Sequence, residues 1–230
     1  MNNWLNFIQL IFYPYTCFSC NAAGHNRLDL CGACLGDFIE NKNSCDSCDA
    51  PLPKNINGTC GKCLKNPPHF DKAVGLYAYQ GLPRFLIQSL KFNAKYSCAR
   101  TIGLLIAARM KNQALMPSAL IAVPLHPIRH RERGFNQSEK IAHYLQRELN
   151  IPLLHNACKR TINTTSQTHL KAHERKKNLN KAFSFTLDKP LDFVAVIDDV
   201  VTTGSTANEI AKTLKKAGVK RVEIWAFARA

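Results

Sequence analysis

A chain of 230 residues with 46% apolar residues is long enough for one large domain or two small ones and can bury an ordinary core. Its formal net charge of +15 is uneven: residues 84–185 hold eighteen Lys and Arg against four Asp and Glu, whereas residues 1–83 hold six of each. A basic field of that size favours polyanions, either nucleic acid or a diphosphate-bearing substrate; the plainer reading is a solvated basic surface.

The first apolar stretch, Trp4 to Tyr15, is interrupted by Asn6 and Gln9 and is too short to span a bilayer. It has no basic n-region and no small-residue cleavage site, so neither a secretory signal nor membrane insertion is expected. Trp4, Ile8, Ile11 and Phe12 share a helical stripe that is expected to dock on the protein.

Eight of the ten cysteines follow as four Cys-x-x-Cys pairs: Cys17/Cys20, Cys31/Cys34, Cys45/Cys48 and Cys60/Cys63. A Cys-x-x-Cys turn brings two thiolates to one metal, and two such turns complete a tetrahedral site, so eight ligands predict two structural zinc ions. Disulfides would need an oxidising compartment, and a redox Cys-x-x-Cys would need a thioredoxin-like unit that this segment lacks. Two pairings remain open. Sequential sharing (Cys17, Cys20, Cys31, Cys34; then Cys45, Cys48, Cys60, Cys63) is preferred over interleaved sharing, because each half is then a compact ribbon. Metal should supply most of the folding energy of this core-poor segment, on the order of 10 kcal/mol per ion. Four thiolates on each zinc leave the segment acidic, which suggests electrostatic docking on the basic remainder. Cys98 and Cys158 read as buried thiols.

Asn66-Pro-Pro-His69 reads as a linker, giving an expected division into a ribbon segment (1–66) and a second domain (67–230). Beyond it a strand is predicted within Phe70–Tyr79, and helices over Gly81–Lys95 and Ala99–Ala114. A short strand, Leu120–Pro124, leads into a loop carrying Arg129, Arg131, Arg133 and Gly134. Arginines after a parallel strand are suited to gripping a diphosphate through forked hydrogen bonds; the alternative is a solvated basic turn. A helix is predicted over Ser138–Leu149, with Asn136 or Ser138 as cap, and a strand over Ile151–Leu154. The polar run Cys158–Lys181, with Arg175 in it, reads as a lid over an anionic ligand or as a surface loop.

Val194–Ile197 reads as a buried strand that ends at Asp198 and Asp199. Thr202, Thr203, Gly204, Ser205 and Thr206 follow, and then a helix with Thr206 and Glu209 at capping-box spacing, Lys215 and Lys216 in the last turn and Gly218 at the stop. A loop at a helix N-terminus offers free N–H groups and a positive dipole end, so it can hold a phosphate. The acid pair beside it can accept from sugar hydroxyls or from Mg²⁺-bound water. A final strand is predicted at Val222–Phe227. Strands alternating with helices predict an α/β fold with a mostly parallel sheet.

Residues 194–206 resemble the phosphoribosyl diphosphate (PRPP) fingerprint of type I phosphoribosyltransferases. The four Cys-x-x-Cys pairs, Ser89–Phe92, Val123–His126, Arg131–Gln137, Arg160, Thr164, Gln167, Leu170, Arg175, Asn178, Ala182-Phe183 and the fingerprint together resemble the ComF family of bacterial competence proteins over nearly the whole chain. That resemblance implies a cytoplasmic protein with a phosphoribosyltransferase fold and a double zinc ribbon, acting in natural transformation. It also implies contact with single-stranded DNA and a helicase of the ComFA type as partner. Two functional expectations follow. In the first, the protein binds DNA and PRPP-like ligands. In the second, it is an active transferase in which Asp198 and Asp199 are catalytic and hold the ribose. There Thr202, Thr203, Gly204, Ser205 and Thr206 take the 5-phosphate, and Arg131, Arg133 and Arg175 the Mg²⁺-bound diphosphate. A zinc-ribbon scaffold on an inactive enzyme fold is the plainest alternative.

Overall fold

The structure, a computed structural model, describes residues 12, 14–160, 182–186 and 191–230. Four strands form one parallel sheet in the order β1-β6-β5-β2: β1 (Lys72–Ala78), β2 (Ala119–Ala122), β5 (Phe193–Val201) and β6 (Arg221–Arg229). A two-stranded antiparallel hairpin, β3 (Cys158–Arg160) with β4 (Phe183–Phe185), stands apart from it. The predicted strand at Ile151–Leu154 reduces to a parallel bridge between Leu120 and Leu153 at the side of β2. The α/β class with a mainly parallel sheet is as expected.

Both faces of the sheet are covered, which is why its strands are almost continuously apolar. On one face Ala195 and Ile197 of β5 and Trp225 and Phe227 of β6 pack against three helices. These are α3 (Gly81–Asn93), α4 (Tyr96–Met110) and α6 (Gln137–Leu149), and they contribute Leu86, Leu90, Ile102, Ile106, Ile141 and Leu145. On the other face Val194, Val196, Val222 and Ile224 pack against Ile210, Ala211 and Leu214 of α7 (Ser205–Lys216), with Phe183 of the hairpin. Each fully buried large side chain contributes roughly 1.5–3 kcal/mol of apolar burial. The two-residue alternation along β5 and β6 assigns each side chain to its face.

The cysteine-rich segment straddles the β1 edge. It contains two single-turn helices, α1 (Gly32–Gly36) and α2 (Gly61–Lys65). Cys17, Leu28, Leu30 and Phe38 join the core on the helical face, with Phe38 edge-on to Tyr77 at 4.9 Å. Cys48 packs into the core of the opposite face. Between them the segment bonds to the backbone of β1: Ala73 N–H to the Ser47 carbonyl at 2.8 Å, Ala78 N–H to the Ile39 carbonyl at 2.8 Å, and Asn41 N–H to the Leu76 carbonyl at 3.1 Å. The ribbon segment therefore closes an edge that would otherwise expose unpaired backbone groups. Charge contributes as well, since Arg100 pairs with Asp29, and Arg27 with Glu148 at 3.0 Å. The contact is chiefly apolar and hydrogen-bonded, so the expected electrostatic docking is one part of it.

Three details differ from the sequence reading. β5 extends through the acid pair to Val201 rather than stopping before it, because its backbone stays paired with β6 to Val201–Arg229. The arginine loop contains a short helix, α5 (Pro127–Arg133), started by Pro127 after His126, whose Nδ1 accepts from Ile128 N–H at 3.2 Å. The capping box is absent: Gly204 occupies the N-cap of α7 with φ +74°, and no side chain caps it. The expected cap at Asn136 is present, its Oδ1 accepting from the N–H groups of Ser138 and Glu139 at 3.0 and 3.4 Å. The stripe through Trp4, Ile8 and Ile11 and most of the 158–181 run lie outside the described residues.

Helices α4 and α6 approach closely at Gly103. A Cβ there would stand 2.7 Å from the Tyr144 Cβ and 3.0 Å from the Ile141 carbonyl oxygen. Gly103→Val is expected to overpack this crossing and lower stability by about 1–3 kcal/mol. A reduced urea midpoint with unchanged slope would register it; an unchanged midpoint would contradict the close crossing.

Candidate functional site: an acid pair beside a hydroxyl loop

β2 and β5 are adjacent parallel strands, and the segments leaving their C-terminal ends form the site, where open α/β sheets bind ligands. Asp198 and Asp199 lie in the last turn of the β5 pleat, and Asp199 is 2% exposed. From β2 the chain passes through α5 to the N-terminus of α6, which reaches back to the acids. Gly134 closes α5 in the left-handed region (φ +78°), Phe135 is buried, and Asn136 ties the turn to β2 by donating to the Val123 carbonyl at 3.0 Å.

Four side chains then converge on the pair. Gln137 donates to Asp199 Oδ1 at 3.2 Å, and Arg133 donates to Gln137 Oε1 at 2.7 Å. The other Asp199 oxygen meets the ammonium of Lys91, from the last turn of α3. Ser138 donates to Asp198 Oδ1 at 3.1 Å, and the Asp199 N–H donates to that same oxygen at 2.9 Å. Burial and the neighbouring Asp199 push the Asp198 carboxyl up to about 7, against the opposing pull of Lys91 and these two donors. Asp198 therefore titrates near neutral pH.

Beyond the acids the chain turns through Thr202, Thr203 and Gly204 into α7. Thr203 Oγ1 lies 2.9 Å from Ser205 Oγ and accepts from Ser205 N–H at 3.3 Å. Gly204 has open space where a side chain would stand, so a ligand can meet the backbone directly. The first N–H groups of a helix have no intrahelical partner and suit an anion, and the hydroxyls of Thr202, Thr203, Ser205 and Thr206 belong to the same turn and first turn of α7.

Of the residues singled out from sequence, Asp198, Asp199, Thr202, Thr203, Gly204, Ser205 and Thr206 share this end of the sheet. Arg133 reaches it through Gln137. Arg131 is exposed on α5 with no hydrogen bond or ion pair among the described residues, and Arg175 lies outside them. Lys91, Gln137 and Ser138 were not assigned to the site. A lysine directly after buried Leu90 on an otherwise apolar helical face is the signal that points to Lys91.

The ribbon segment supports the loop from below. Arg229, at the end of β6, donates to the carbonyls of Cys48 at 3.2 Å and Val201 at 2.9 Å, and also to that of Thr202. Lys62 donates to the Thr203 carbonyl at 3.1 Å. The cysteines gather sequentially, Cys17, Cys20, Cys31 and Cys34 in one group and Cys45, Cys48, Cys60 and Cys63 in the other, with all Sγ atoms of a group within 4.8 Å of one another. Cys20 and Cys31 are 3.6 Å apart and Cys48 and Cys60 are 3.8 Å apart. Zinc–sulfur bonds of ~2.3 Å in a tetrahedron require sulfurs ~3.8 Å apart, so both groups fit zinc, and the interleaved pairing is excluded. Backbone N–H groups already aim at the sulfurs, Cys34 N–H at Cys31 Sγ (3.4 Å) and Cys60 N–H at Cys45 Sγ (3.1 Å). Four cysteines close each site, so the metal is structural. Cys98 and Cys158 are buried thiols, as expected, and burial is the leading cause that pushes them up to about 11 and about 12.

Residues 8–64 match the double zinc ribbon domain family. Over 228 residues the chain is 37% identical to Competence protein F of Haemophilus influenzae, covering 95% of this chain and 99% of that one. It is 33% identical over 228 residues to the DNA utilization protein YhgH of Escherichia coli O157:H7, covering 96% and 99%. Among solved structures it is similar to the glutamine PRPP amidotransferase of B. subtilis, with a TM-score of 0.38 and 16% identity, covering 57% of this chain and 26% of that chain. A likeness that distant adds nothing to the topology described above. Among the described residues no helix is long and apolar enough to cross a membrane.

Two expectations follow from the site and its support. Asp198 holds its proton to about pH 7 when folded but releases it near pH 4 when unfolded, so its presence costs stability increasingly as pH rises between those values. Asp198→Asn should match the parent near pH 4 and exceed it by a few kcal/mol above about pH 7, read from urea melts at both ends. Equal stability at high pH would mean the carboxyl is not held protonated. Metal analysis should find two zinc ions per chain and about one in Cys45→Ser, with a lowered melting temperature; two ions in that variant would refute the second site.

Proposed function

The chain belongs to the ComF family of competence proteins, and from that premise we propose that it binds a ribose 5-phosphate diphosphate, PRPP or a close relative, and single-stranded DNA. The setting proposed for it is the cytoplasmic handling of incoming DNA, with a helicase of the ComFA type as partner. The observation that carries the ligand reading is the meeting of an acid pair with the open Gly204 turn at the N-terminus of α7. In this reading Asp198 and Asp199 accept from the ribose hydroxyls. The N–H groups and hydroxyls of Thr202–Thr206 take the 5-phosphate. Arg133, with Arg131 and Arg175, takes the diphosphate, which carries Mg²⁺ when bound. Lys91 pairs with Asp199 and gives way as sugar hydroxyls arrive.

The DNA reading is supported by the eighteen-to-four basic excess of residues 84–185 and by relatives named for competence and for DNA utilization. A second reading, transfer of ribose 5-phosphate to an acceptor, is favoured by one observation: Asp198 is raised to about 7, in the range of a group that moves protons at neutral pH. Loss of diphosphate would leave positive charge at the sugar's C1, beside the two carboxylates.

Calorimetric titration with Mg²⁺-PRPP tests the ligand reading. Saturable binding to the parent and its loss in the Asp198→Asn/Asp199→Asn double variant are expected, together with a ligand-dependent rise in the parent's melting temperature. No heat and no thermal shift in the parent would leave a zinc-ribbon scaffold on an inactive fold. Release of diphosphate on adding an acceptor would promote the transferase reading.

A further inference from the structure

The basic middle of the chain, residues 84–185, carries seven Phe and Tyr residues, and the fold treats them differently. Phe135 is 5% exposed and Tyr144 packs against the helical core. Phe92 and Tyr96 stand outward, 73% and 48% exposed. They flank the corner where α3 gives way to α4, a turn set by Ala94 in the left-handed region (φ +49°). One exposed phenylalanine is ordinary, but two exposed rings flanking one corner, each with a cation over it, form a patch suited to a partner.

The surroundings of the two rings specify that use. The Arg133 guanidinium lies 5.7 Å from the centre of the Phe92 ring, and the Lys140 ammonium 5.1 Å from the centre of the Tyr96 ring. Tyr96 is also held edge-on by buried Phe135 at 5.2 Å, so its orientation is fixed from beneath. Lys95 lies in the corner itself. Each cation lies over its ring as a cation–π partner, and such a unit is complementary to one nucleotide: the base takes the exposed part of the ring and its phosphate meets the cation. Two such units side by side suit successive nucleotides of an unpaired strand. A duplex hides its base faces, and an apolar protein partner would strip water from Lys140 and Arg133 without answering their charge.

The corner adjoins the acid pair. Lys91, one residue before Phe92, pairs with Asp199, and Arg133 reaches Asp199 through Gln137. We propose that Phe92 and Tyr96, with Arg133 and Lys140 beside them, form a stacking platform for unpaired bases of a single strand, at the margin of the acid-pair site. This rests on the DNA part of the reading given above and locates it. It is independent of whether a ribose phosphate is turned over.

Fluorescence anisotropy with labelled oligothymidylate, on full-length zinc-loaded protein over a series of salt concentrations, tests the platform. Phe92→Ala/Tyr96→Ala should weaken binding by about tenfold or more at each salt, with the slope of affinity against salt unchanged, because stacking rather than phosphate contact is lost. Phe92→Trp/Tyr96→Trp should restore affinity. Lys140→Gln should instead flatten the salt slope by about 0.7. Phe92→Ala alone keeps the test available should Tyr96 prove necessary for packing on Phe135. Parental affinity in a folded Ala variant overturns the platform while leaving DNA binding intact, and would reassign this face to a protein partner. Failure of the parent itself to bind at low salt overturns the DNA reading and the platform together, whatever calorimetry reports for Mg²⁺-PRPP.

Discussion

Two adjacent carboxylates at the buried end of a central strand cannot both stay ionised unless something answers them. That constraint organises the C-terminal end of the sheet. Lys91 and Gln137 answer Asp199, and Ser138 and a backbone N–H answer Asp198 incompletely, so its proton is held into the neutral range. A buried acid with partial compensation is costly to a fold and useful to a site.

The same constraint explains why several elements must be held in register. Lys91 comes from α3, Arg133 from α5, Gln137 and Ser138 from α6, and the acids from β5. Each arrives correctly only if the apolar face between β5, β6 and the helices is closely packed. Gly103 permits the α4–α6 approach, Asn136 ties the start of α6 to Val123, and Gly134 turns the chain between α5 and α6. The ribbon segment belongs to this scaffold. It covers the exposed edge of β1 and, through Arg229 and Lys62, braces the carbonyls of the turn that enters α7. Zinc folds a segment with little core of its own, and that segment then stabilises both an open sheet edge and a loop at the candidate site.

Much of this architecture was legible in the order of residues. Four Cys-x-x-Cys pairs specify two metal sites, because the ligands are local and the coordination number is four. The apolar run before Asp198, the small residues after Asp199 and the helical period from Ala207 specify strand, turn and helix, because each signal spans a few neighbours. The fingerprint and the whole-chain resemblance located the acid pair and the hydroxyl loop. Less was readable in the arginine segment: two turns of helix started by Pro127 carry little periodicity, and a strand that stays paired with β6 continues past the residues where its apolar pattern stops.

What the sequence by itself determined was therefore the set of local devices: the ligand pairs of the ribbons, the strand–turn–helix at residues 194–216 and the basic excess of the middle. Only the tertiary structure decided that Lys91 answers Asp199 across a separation of more than a hundred residues, that the ribbons share the sheet's core, and that Phe92 and Tyr96 face solvent while Phe135 does not. The physical reason is range. Caps, turns and metal loops are stabilised by neighbours along the chain, whereas the partner of a buried charge and the exposure of a ring are set by whichever distant elements pack against them.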